Sequence, residues 1–350
     1  MLQLTKPRFL KQKNMLRVLY ALAPIALVSV YYFGWRILAV LIVSIFFSFM
    51  TEWVMVTRRK RKISYACFVT SALYALSLPP TVPFWIVAVG AIIGILFGKE
   101  AFGGFGKNVF NPAIVGRAFV YVCFPIALTA KFVPAFRGFP GGFGAWSMTA
   151  LDQLPPYLRG TGMEAVNAVT AATPMWARRD FGYLTDLGNL FTGIIGDSFS
   201  TEGTQRILAA GSAGEVSFVA ILLAAIYLLM TKTANWRLML SPIIGAVALN
   251  VLLRNILGIE AVPPPAFTLL SGGFAYAAVY MVTEPVSAPK LPLSQWIYGL
   301  FIGAMIVFFR YKAIFAGGVA FSILLGNMIA PSLDMWIKRA KARNIQRGAS

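Results

Sequence analysis

A stretch of small residues interrupts the longest polar segment of this hydrophobic chain. Residues 166–175 read VNAVTAATPM and contain neither glycine nor charge. The five central residues are two threonines, two alanines and a proline: Thr170, Ala171, Ala172, Thr173 and Pro174. Proline and small polar residues are typical of an ordinary turn. The same residues also suit a place where a large group comes very close to the backbone.

Four carboxylates form a second set of candidate residues. The chain has only 12 acidic residues, and four of them fall at ends of predicted apolar spans: Glu52, Glu100, Glu284 and Asp334. A carboxylate held at membrane depth is costly, which makes each a candidate for cation or proton passage. The alternative is a salt bridge with a nearby basic residue, which contributes little when exposed. Arg58 could pair with Glu52 in this way, and Lys338 with Asp334.

The segment GKEAFGGFGKNVFNPAIVGRAF, residues 98–119, is the densest polar region beside a span. Its candidate binding residues are Gly103, Gly104, Asn108, Asn111 and Arg117. A helix would place Asn108 and Asn111 on one face, since they are three residues apart. One interpretation is an inner loop that ends in a helix cap at Asn111 before Pro112. The other is a re-entrant loop whose amides and glycines hold a polar ring.

The composition predicts that these residues are positioned by membrane-spanning helices. Of the 350 residues 58% are hydrophobic and 12% are charged, whereas soluble chains average about 25% charged residues. Apolar runs of about 17–25 residues are long enough to cross the hydrocarbon core. Ten spans are predicted, near residues 17–33, 36–56, 64–78, 84–98, 112–130, 216–230, 238–257, 266–282, 295–310 and 315–331.

Other classes of function are disfavoured by what the sequence lacks and by where its charge lies. The net charge is +19, but the basic residues cluster at span ends, which indicates membrane topology and anionic lipid rather than nucleic acid. The absence of histidine excludes histidine-ligated haem and metal sites. Cys67 and Cys123 lack metal-type spacing, so no metal site is predicted. No cleavage site follows the basic N-terminal residues, so a removable signal peptide is not expected.

The basic clusters also predict an orientation, with both termini in the cytoplasm. Proline-broken stretches at 75–85 and 281–291 follow spans at corresponding places in the two halves. Five spans in each half give the second half the opposite orientation, as in inverted repeats. The predicted fold is therefore an all-α polytopic membrane protein with two inverted five-helix repeats. Its units are a first repeat, an external segment, a second repeat and a basic cytoplasmic tail: 1–130, 131–215, 216–337 and 338–350.

Several of these segments resemble one family of membrane proteins. The segment at 98–119, TEPVSAP at 283–289 and GSAGEVS at 211–217 are similar to NqrB proteins, which are part of the sodium-translocating NADH:quinone oxidoreductase (Nqr). VTAATPM resembles the flavinylation motif that NqrB shares with RnfD of the Rnf electron-transport complex. Glu284 stands where the family usually has aspartate. The motifs do not decide between the Nqr and Rnf branches.

The resemblance implies a cofactor and the residues that hold it. Thr173 matches the threonine that carries FMN through a phosphoester, and Thr170, Ala171, Ala172 and Pro174 surround it. In the Nqr branch a non-covalent riboflavin is also expected, near Asn108 and Asn111. Protein groups would hold and tune these flavins, while the flavin ring supplies the redox chemistry.

The predicted function is that of a membrane flavoprotein subunit in a redox-driven Na⁺ or H⁺ translocase of the bacterial inner membrane. Its partners would be the other subunits of an Nqr or Rnf complex, including a second subunit with covalent FMN. Neither the ion nor the electron donor and acceptor, quinone among them, follows from the sequence. Two alternatives stay open: a secondary transporter or channel of the same fold without flavin, and a structural anchor subunit.

Overall fold

The apolar runs of the sequence fold as helices, since a helix satisfies its backbone hydrogen bonds within one segment of chain. The computed structural model describes residues 9–129, 132–147, 173–196, 198–201, 204–312 and 318–348. In chain order its α-helices are α1 Lys13–Phe33, α2 Arg36–Arg58, α3 Ala66–Leu76, α4 Phe84–Ile95, α5 Pro112–Cys123, α6 Pro125–Thr129, α7 Pro174–Phe181, α8 Leu187–Thr192, α9 Phe218–Met230, α10 Trp236–Val251, α11 Pro265–Leu270, α12 Phe274–Tyr276, α13 Pro292–Lys312 and α14 Val319–Gly348. A 3₁₀ turn occupies Gly141–Gly144.

Three helices continue as π-helical turns, at Leu96–Glu100 after α4, Leu252–Ile256 after α10 and Ala277–Met281 after α12. In the part of the chain that the structure describes, five helices are long and apolar enough to cross a membrane: Lys13–Phe33, Arg36–Arg58, Trp236–Ile256, Pro292–Lys312 and Val319–Asn344. Shorter apolar helices lie at Ala66–Leu76, Pro112–Cys123 and Phe218–Met230. The described chain is thus mostly helical and fits a polytopic membrane protein, as predicted.

Two of the predicted spans are broken rather than continuous. In the span near 266–282, α11 ends at Leu270 and α12 begins at Phe274. Gly272 and Gly273 between them have φ of +61° and +70°, a left-handed backbone that favours glycine and interrupts a right-handed helix. In the span near 112–130, the chain leaves the helix at Phe124 and then forms the short helix α6.

Asn108 and Asn111 do not share a helix. Residues 107–111 are not helical, and α5 begins only at Pro112. Proline suits the first position of a helix because its missing N–H has no partner there. Asn111 caps this helix, since its side chain accepts hydrogen bonds from the backbone N–H groups of Ala113 and Ile114. The predicted helix cap at Asn111 is therefore confirmed.

Small residues bring pairs of helices into close contact. A Cβ atom added to Gly116 of α5 would lie 2.5 Å from the carbonyl oxygen of Gly90 in α4, and one at Gly94 would lie 2.7 Å from that of Pro112. Gly303 of α13 similarly faces the carbonyl of Pro242 in α10. Such contacts hold membrane helices together by close backbone packing, where lipid provides no hydrophobic driving force between them.

Two short sheets lie outside the long helices. Strand β1, Phe9–Leu10, pairs in parallel with β2, Ile63–Ser64. Strand β2 directly follows the basic run of residues 58–62 in the sequence. Strands β3, Ser198–Thr201, and β4, Thr204–Ile207, form an antiparallel hairpin in which Ser198 faces Ile207. The hairpin belongs to the predicted external segment, which also contains α7 and α8.

Residues 208–217, called here the connecting segment, join this hairpin to α9 and run through the interior. The N–H of Ala210 donates to the carbonyl of Val133 at 3.0 Å. The N–H groups of Ala213 and Gly214 donate to the carbonyls of Leu78 and Leu76, at 3.1 and 2.7 Å. The ring of Tyr276 in α12 also lies beside Gly214. The connecting segment therefore contacts both the end of α3 and α12.

Candidate functional site

Thr173 lies immediately before α7 and is partly buried. Its backbone is extended, with φ of −62° and ψ of 161°, and Pro174 occupies the first turn of the helix. A threonine at this position commonly caps the helix through its side chain, but the Thr173 hydroxyl makes no such bond. The Thr173 hydroxyl therefore does not cap α7. The predicted flavin neighbours Thr170, Ala171 and Ala172 lie outside the described residues.

A cavity of about 80 Å³, called here the Thr173 cavity, opens beside this residue. It is bounded by α5, α7, the connecting segment and the break between α11 and α12. Among the described residues, its polar or charged lining residues are Ser77, Arg117, Tyr121, Thr129, Thr173, Trp176, Ser212, Glu215 and Tyr276. Binding sites for whole ligands are usually about 300–1,000 Å³. This cavity thus suits a phosphate-sized group, and a three-ring flavin would extend beyond it.

Arg117 reaches this cavity from α5 and is half-buried. Its Nη2 atom donates a long hydrogen bond of 3.5 Å to the Ser212 hydroxyl, its one hydrogen-bond partner among the residues described. A guanidinium can donate five hydrogen bonds and binds phosphate or carboxylate oxygens in pairs. Most of the hydrogen-bonding capacity of Arg117 is therefore available to a ligand. The structure places Arg117 with Thr173, although the sequence grouped it with Asn108.

Glu215 is a cavity residue that was not among the candidates from the sequence. Its Oε1 atom accepts from the backbone N–H of Ser212 at 2.9 Å, and its other oxygen faces Gly273. Burial raises the pKa of Glu215 above its usual range, and the nearby Arg117 charge opposes this rise in pKa. The only sequence signal was its place in GSAGEVS, in a chain with few acidic residues.

A second arginine, Arg310 of α13, lies behind the cavity and is completely buried. It donates to the carbonyl oxygens of Thr268 at 2.7 Å, Ser271 at 3.0 Å and Gly272 at 2.7 Å. These carbonyls become free because α11 ends there and the chain turns away from the helix. Arg310 therefore stabilises the helix break that forms one wall of the cavity.

Trp176, which lines the Thr173 cavity, has an indole N–H donor without a partner in the described part of the chain. Its Nε1 atom is buried and has no hydrogen-bond partner among the described residues. Buried indole N–H groups usually find a partner, and leaving a buried donor unpaired costs about 1–3 kcal/mol. Trp176, whose indole N–H is unpaired among these residues, is one of the residues that line the cavity. The site therefore fits a group that accepts hydrogen bonds and carries negative charge.

A separate polar group surrounds Lys99 in the π-helical turn after α4. Its Nζ atom lies 2.6 Å from Oε2 of Glu52 and 2.7 Å from the Ser64 hydroxyl. The Oε1 atom of Glu52 accepts from the Ser64 backbone N–H at 2.9 Å. Glu52, Ser64 and Lys99 are each about 1% exposed. Glu52 therefore pairs with Lys99 inside the protein, while the predicted partner Arg58 is exposed.

Glu100, the next residue, is also buried and interacts with the basic run. Its Oε2 atom lies 3.2 Å from Nη1 of Arg59, while Oε1 has no hydrogen-bond partner among the described residues. The N–H groups of Gly103 and Gly104 donate to the carbonyls of Glu100 and Lys99, at 3.0 and 3.1 Å. Both glycines have positive φ, +105° and +91°. They close the π-helical turn and lead the chain into the irregular segment before α5.

The two asparagines have internal partners in the structure. Asn108 donates through Nδ2 to the carbonyl of Phe110 at 3.1 Å. Asn111 donates through Nδ2 to the Met281 carbonyl at 3.2 Å, and its backbone N–H donates to Oδ1 of Asn327 at 3.0 Å. Asn327 in turn donates to the hydroxyl of Tyr298 at 2.7 Å. Asn111 thus joins α5 to the π-helical turn after α12 and to α14.

The last two carboxylates stabilise turns of the backbone. Oε2 of Glu284 accepts from the N–H and hydroxyl of Ser287, at 2.6 and 2.5 Å. Glu284 also lines a small cavity of about 50 Å³ together with Asn111. Asp334 of α14 accepts from the backbone N–H groups of Lys290 and Leu291, at 2.8 and 3.2 Å. Asp334 therefore binds the start of α13 through these two amides.

The predicted site residues thus fall into separate places. Thr173 and Arg117 share the Thr173 cavity, Glu52 and Glu100 lie around Lys99, and Asn111 and Glu284 share the small cavity. No group of three or more potential metal-ligating side chains occurs in the part of the chain that the structure describes. The Thr173 cavity offers a hydroxyl beside cationic and neutral donors, which suits attachment of an anionic group.

Comparison with known proteins identifies the chain's relatives. The profile of a family described as NQR2, RnfD, RnfE matches residues 6–343. The chain is 36% identical over 302 residues to NqrB of the Na(+)-translocating NADH-quinone reductase of Azotobacter vinelandii, covering 82% of this chain and 64% of that protein. The same protein of Ectopseudomonas mendocina is 35% identical over 297 residues, with 82% and 64% covered. The chain therefore spans about 64% of the length of these relatives.

Proposed function

The chain belongs to the NQR2, RnfD, RnfE family, and from this premise we propose that it is a membrane flavoprotein subunit of a redox-driven Na⁺ or H⁺ translocase. It carries FMN on Thr173 through a phosphoester between the threonine Oγ1 and the FMN phosphate. The observation that carries this proposal is the Thr173 hydroxyl, which is not used for capping and lies on the cavity that Arg117 lines. The bound flavin would supply one-electron and two-electron chemistry, and this chain would hold and orient it.

The proposed assembly is an Nqr or Rnf type complex of the inner membrane. The named relatives belong to a Na(+)-translocating NADH-quinone reductase. Other subunits, including a second one with covalent FMN, would provide electrons, and quinone is the acceptor that the name of these relatives indicates. Lipid would surround the apolar helices. A riboflavin near Asn108 and Asn111 belongs to the same proposal, although both amides have protein partners.

We propose that ten segments cross the membrane as two inverted repeats, 1–130 and 216–337, with 131–215 outside and the tail 338–350 inside. Equivalent pairs of helices pack together in the two halves, which supports the repeat. In the first half α2 packs on α4 and α4 on α5, and in the second half α10 packs on α13 and α13 on α14. Proline-broken connections precede α4 and α13 in corresponding positions.

In-gel fluorescence tests the flavin attachment. The protein is expressed with its flavin transferase and separated on a denaturing gel, where only covalently bound flavin remains with the band. We expect fluorescence in the wild type and its loss in Thr173→Ala. Thr129→Ala is a matched control, because Thr129 lines the same cavity but its hydroxyl donates to Pro125 at 2.8 Å. A non-fluorescent wild-type band would refute the flavin and favour the transporter alternative.

The proposed ion pathway uses Glu52, Glu100, Glu284 and Asp334, and it needs a separate test. Glu284→Gln removes the charge but keeps one oxygen, which is enough for both Ser287 hydrogen bonds. Asp334→Asn removes the charge and keeps one of the two oxygens that accept from the N–H groups of Lys290 and Leu291. We expect both variants to lower ion pumping per electron transferred in the assembled complex. Asp186→Asn is the control, since Asp186 caps α8 through the Asn189 N–H, away from these carboxylates. Unchanged pumping in both variants would remove Glu284 and Asp334 from the pathway.

A further inference from the structure

We propose that the guanidinium of Arg117 and the indole N–H of Trp176 bind the phosphodiester of the flavin on Thr173 and hold the attached flavin against the protein. This inference rests on the proposed function, because it needs a flavin at Thr173. It assigns these two side chains as positioning residues. Both residues line the same small cavity.

Both side chains have hydrogen-bond donors that lack partners. Among the residues described, Arg117 has one hydrogen bond, the 3.5 Å contact with Ser212, and Trp176 Nε1 has none. The non-bridging oxygens of a phosphodiester accept hydrogen bonds only. Arginine binds phosphate through paired, charge-assisted hydrogen bonds, which are stronger than neutral ones. A phosphodiester on Thr173 would therefore supply acceptors to both groups.

The charges around the cavity also favour an anion. Among the residues that the structure describes, three charged side chains lie at or behind it: Arg117, Glu215 and Arg310. These three carry one excess positive charge when ionised, and an uncompensated charge away from water is costly. Glu215 is turned toward the Ser212 N–H and Gly273, and Arg310 is bonded to three carbonyls. Arg117 is thus the charge available to a phosphodiester, whose single negative charge balances the group.

The size of the cavity is that of a small group rather than of a whole ligand. A volume of about 80 Å³ is well above the roughly 10–15 Å³ that one water molecule needs, and below the roughly 300–1,000 Å³ of sites that enclose whole ligands. Thr173 has extended backbone geometry and a rigid following residue, Pro174. The attachment point is thereby fixed at the cavity wall. The phosphate group can occupy the cavity while the ring lies outside it and reaches a partner.

The experiment measures how freely the attached flavin moves, independently of turnover. The full-length protein, expressed with its flavin transferase and purified in detergent, is first checked for covalent flavin on a denaturing gel. Steady-state anisotropy of flavin fluorescence and its quenching by iodide are then measured on the native protein. We expect Arg117→Ala to lower the anisotropy and to raise the iodide quenching constant about twofold or more. Trp176→Phe, which removes only the N–H donor, should change both in the same direction by less.

Two further variants separate this role from a structural one. Arg117→Lys keeps the positive charge but not the paired donors, and should restore only part of the anisotropy. Arg254→Ala is the matched control, because Arg254 is also half-buried and bonded to a carbonyl, that of Val262 at 2.6 Å, but does not line the cavity. We expect wild-type mobility in that variant. If Arg117→Ala does not fold, Trp176→Phe alone decides.

Unchanged anisotropy and quenching in Arg117→Ala and Trp176→Phe, with fluorescent bands on the gel, would overturn the proposal and leave the proposed function intact. A band without fluorescence in the wild type would instead refute the flavin attachment itself. The two failures are therefore distinguishable.

Discussion

Several residues of this protein combine charge with deep burial, and Lys99 shows how such a group is stabilised. Its ammonium contacts Glu52 and Ser64 at 2.6 and 2.7 Å, and both charged partners are about 1% exposed. Forming a buried ion pair contributes little net stability, but removing one partner leaves the other charge uncompensated. Lys99 is therefore needed once Glu52 is present, whatever Glu52 contributes to ion transport.

We expect Lys99→Ala to lower the free energy of unfolding by about 3–5 kcal/mol, because Glu52 would remain buried without its partner. Arg179→Ala removes an ion pair between neighbouring residues on the surface and should cost about 1 kcal/mol or less. Thermal denaturation of the purified proteins in detergent compares the two. The double variant Lys99→Met with Glu52→Leu should recover much of the loss. Equal stability of Lys99→Ala and Arg179→Ala would contradict the assigned role of Lys99.

A similar substitution tests the link between Asn111 and Asn327. Asn327→Leu removes the oxygen that accepts from the Asn111 backbone N–H and the amide that donates to Tyr298. Leaving a buried donor without its partner costs about 1–3 kcal/mol, so the melting temperature should fall. Asn189→Leu is the control, because Asn189 lies on α8 near the surface. If both variants melt at the same temperature, the buried link contributes nothing.

At the scale of single residues, a local role such as helix capping was easier to predict from the sequence than the contacts that a side chain makes with distant residues. The cap at Asn111 followed from its place before Pro112, a local pattern. The partner of Glu52 is 47 residues away, and the contact of Arg117 with the Thr173 cavity depends on how α5 meets the connecting segment. Neither pairing has a local signature, so both required the folded structure. Glu215 was missed for the same reason.

At the scale of the elements, glycine spacing decides which helices meet closely. The glycines of α4 recur every four residues in the sequence GAIIGILFG, which places them on one face. That face contacts α5 at Gly116. In α13, Gly299 and Gly303 follow the same spacing and contact α10. Glycine spacing in the sequence thus indicates which face of a helix makes a close contact. Which other helix packs against that face depends on the fold.

Gly303→Ala should destabilise the packing of α13 on α10, because the added methyl group would meet the rigid carbonyl of Pro242. Overpacking of this kind costs about 1–3 kcal/mol. Gly326→Ala is the matched control on α14, where the added Cβ would meet the side chains of Ile302 at 2.6 Å and Tyr298 at 3.1 Å rather than a backbone carbonyl. Melting temperatures of the two variants in detergent give the comparison. A smaller loss in Gly303→Ala than in Gly326→Ala would contradict the assigned close contact.

The breaks in the helices were harder to predict than the helices themselves. Each predicted span contains helix in the structure, since long apolar runs leave few alternatives. The run near 266–282 reads as one span, although the glycine pair Gly272 and Gly273 interrupts it. Isolated glycines are tolerated in membrane helices, so composition alone does not reveal a break. The carbonyls released there bind Arg310, and this pairing is visible only in three dimensions.

At the scale of the whole molecule, the distribution of basic residues predicts which end of the protein faces the cytoplasm. Cysteine accessibility tests it in a background of Cys67→Ala and Cys123→Ala. A membrane-impermeant thiol reagent added outside intact cells, with the outer membrane permeabilised, should label Arg179→Cys in α7 and leave Lys62→Cys unlabelled. Both side chains are at or near the surface. Disruption of the inner membrane should make Lys62→Cys reactive, and the reverse pattern would invert the topology.

The connecting segment has a mechanical consequence for any conformational cycle. The connecting segment forms backbone hydrogen bonds with Val133, Leu78 and Leu76 and contacts the ring of Tyr276. These contacts join one half of the protein to the other beside the Thr173 cavity. A rigid-body rocking of the halves, as in many transporters of inverted-repeat design, would have to break these contacts in every cycle. We therefore expect the end of the protein that contains Thr173 to act as a fixed pivot, with displacement confined to the opposite end around Lys99. A group attached to Thr173 would then keep a constant distance from the connecting segment while the opposite end moves.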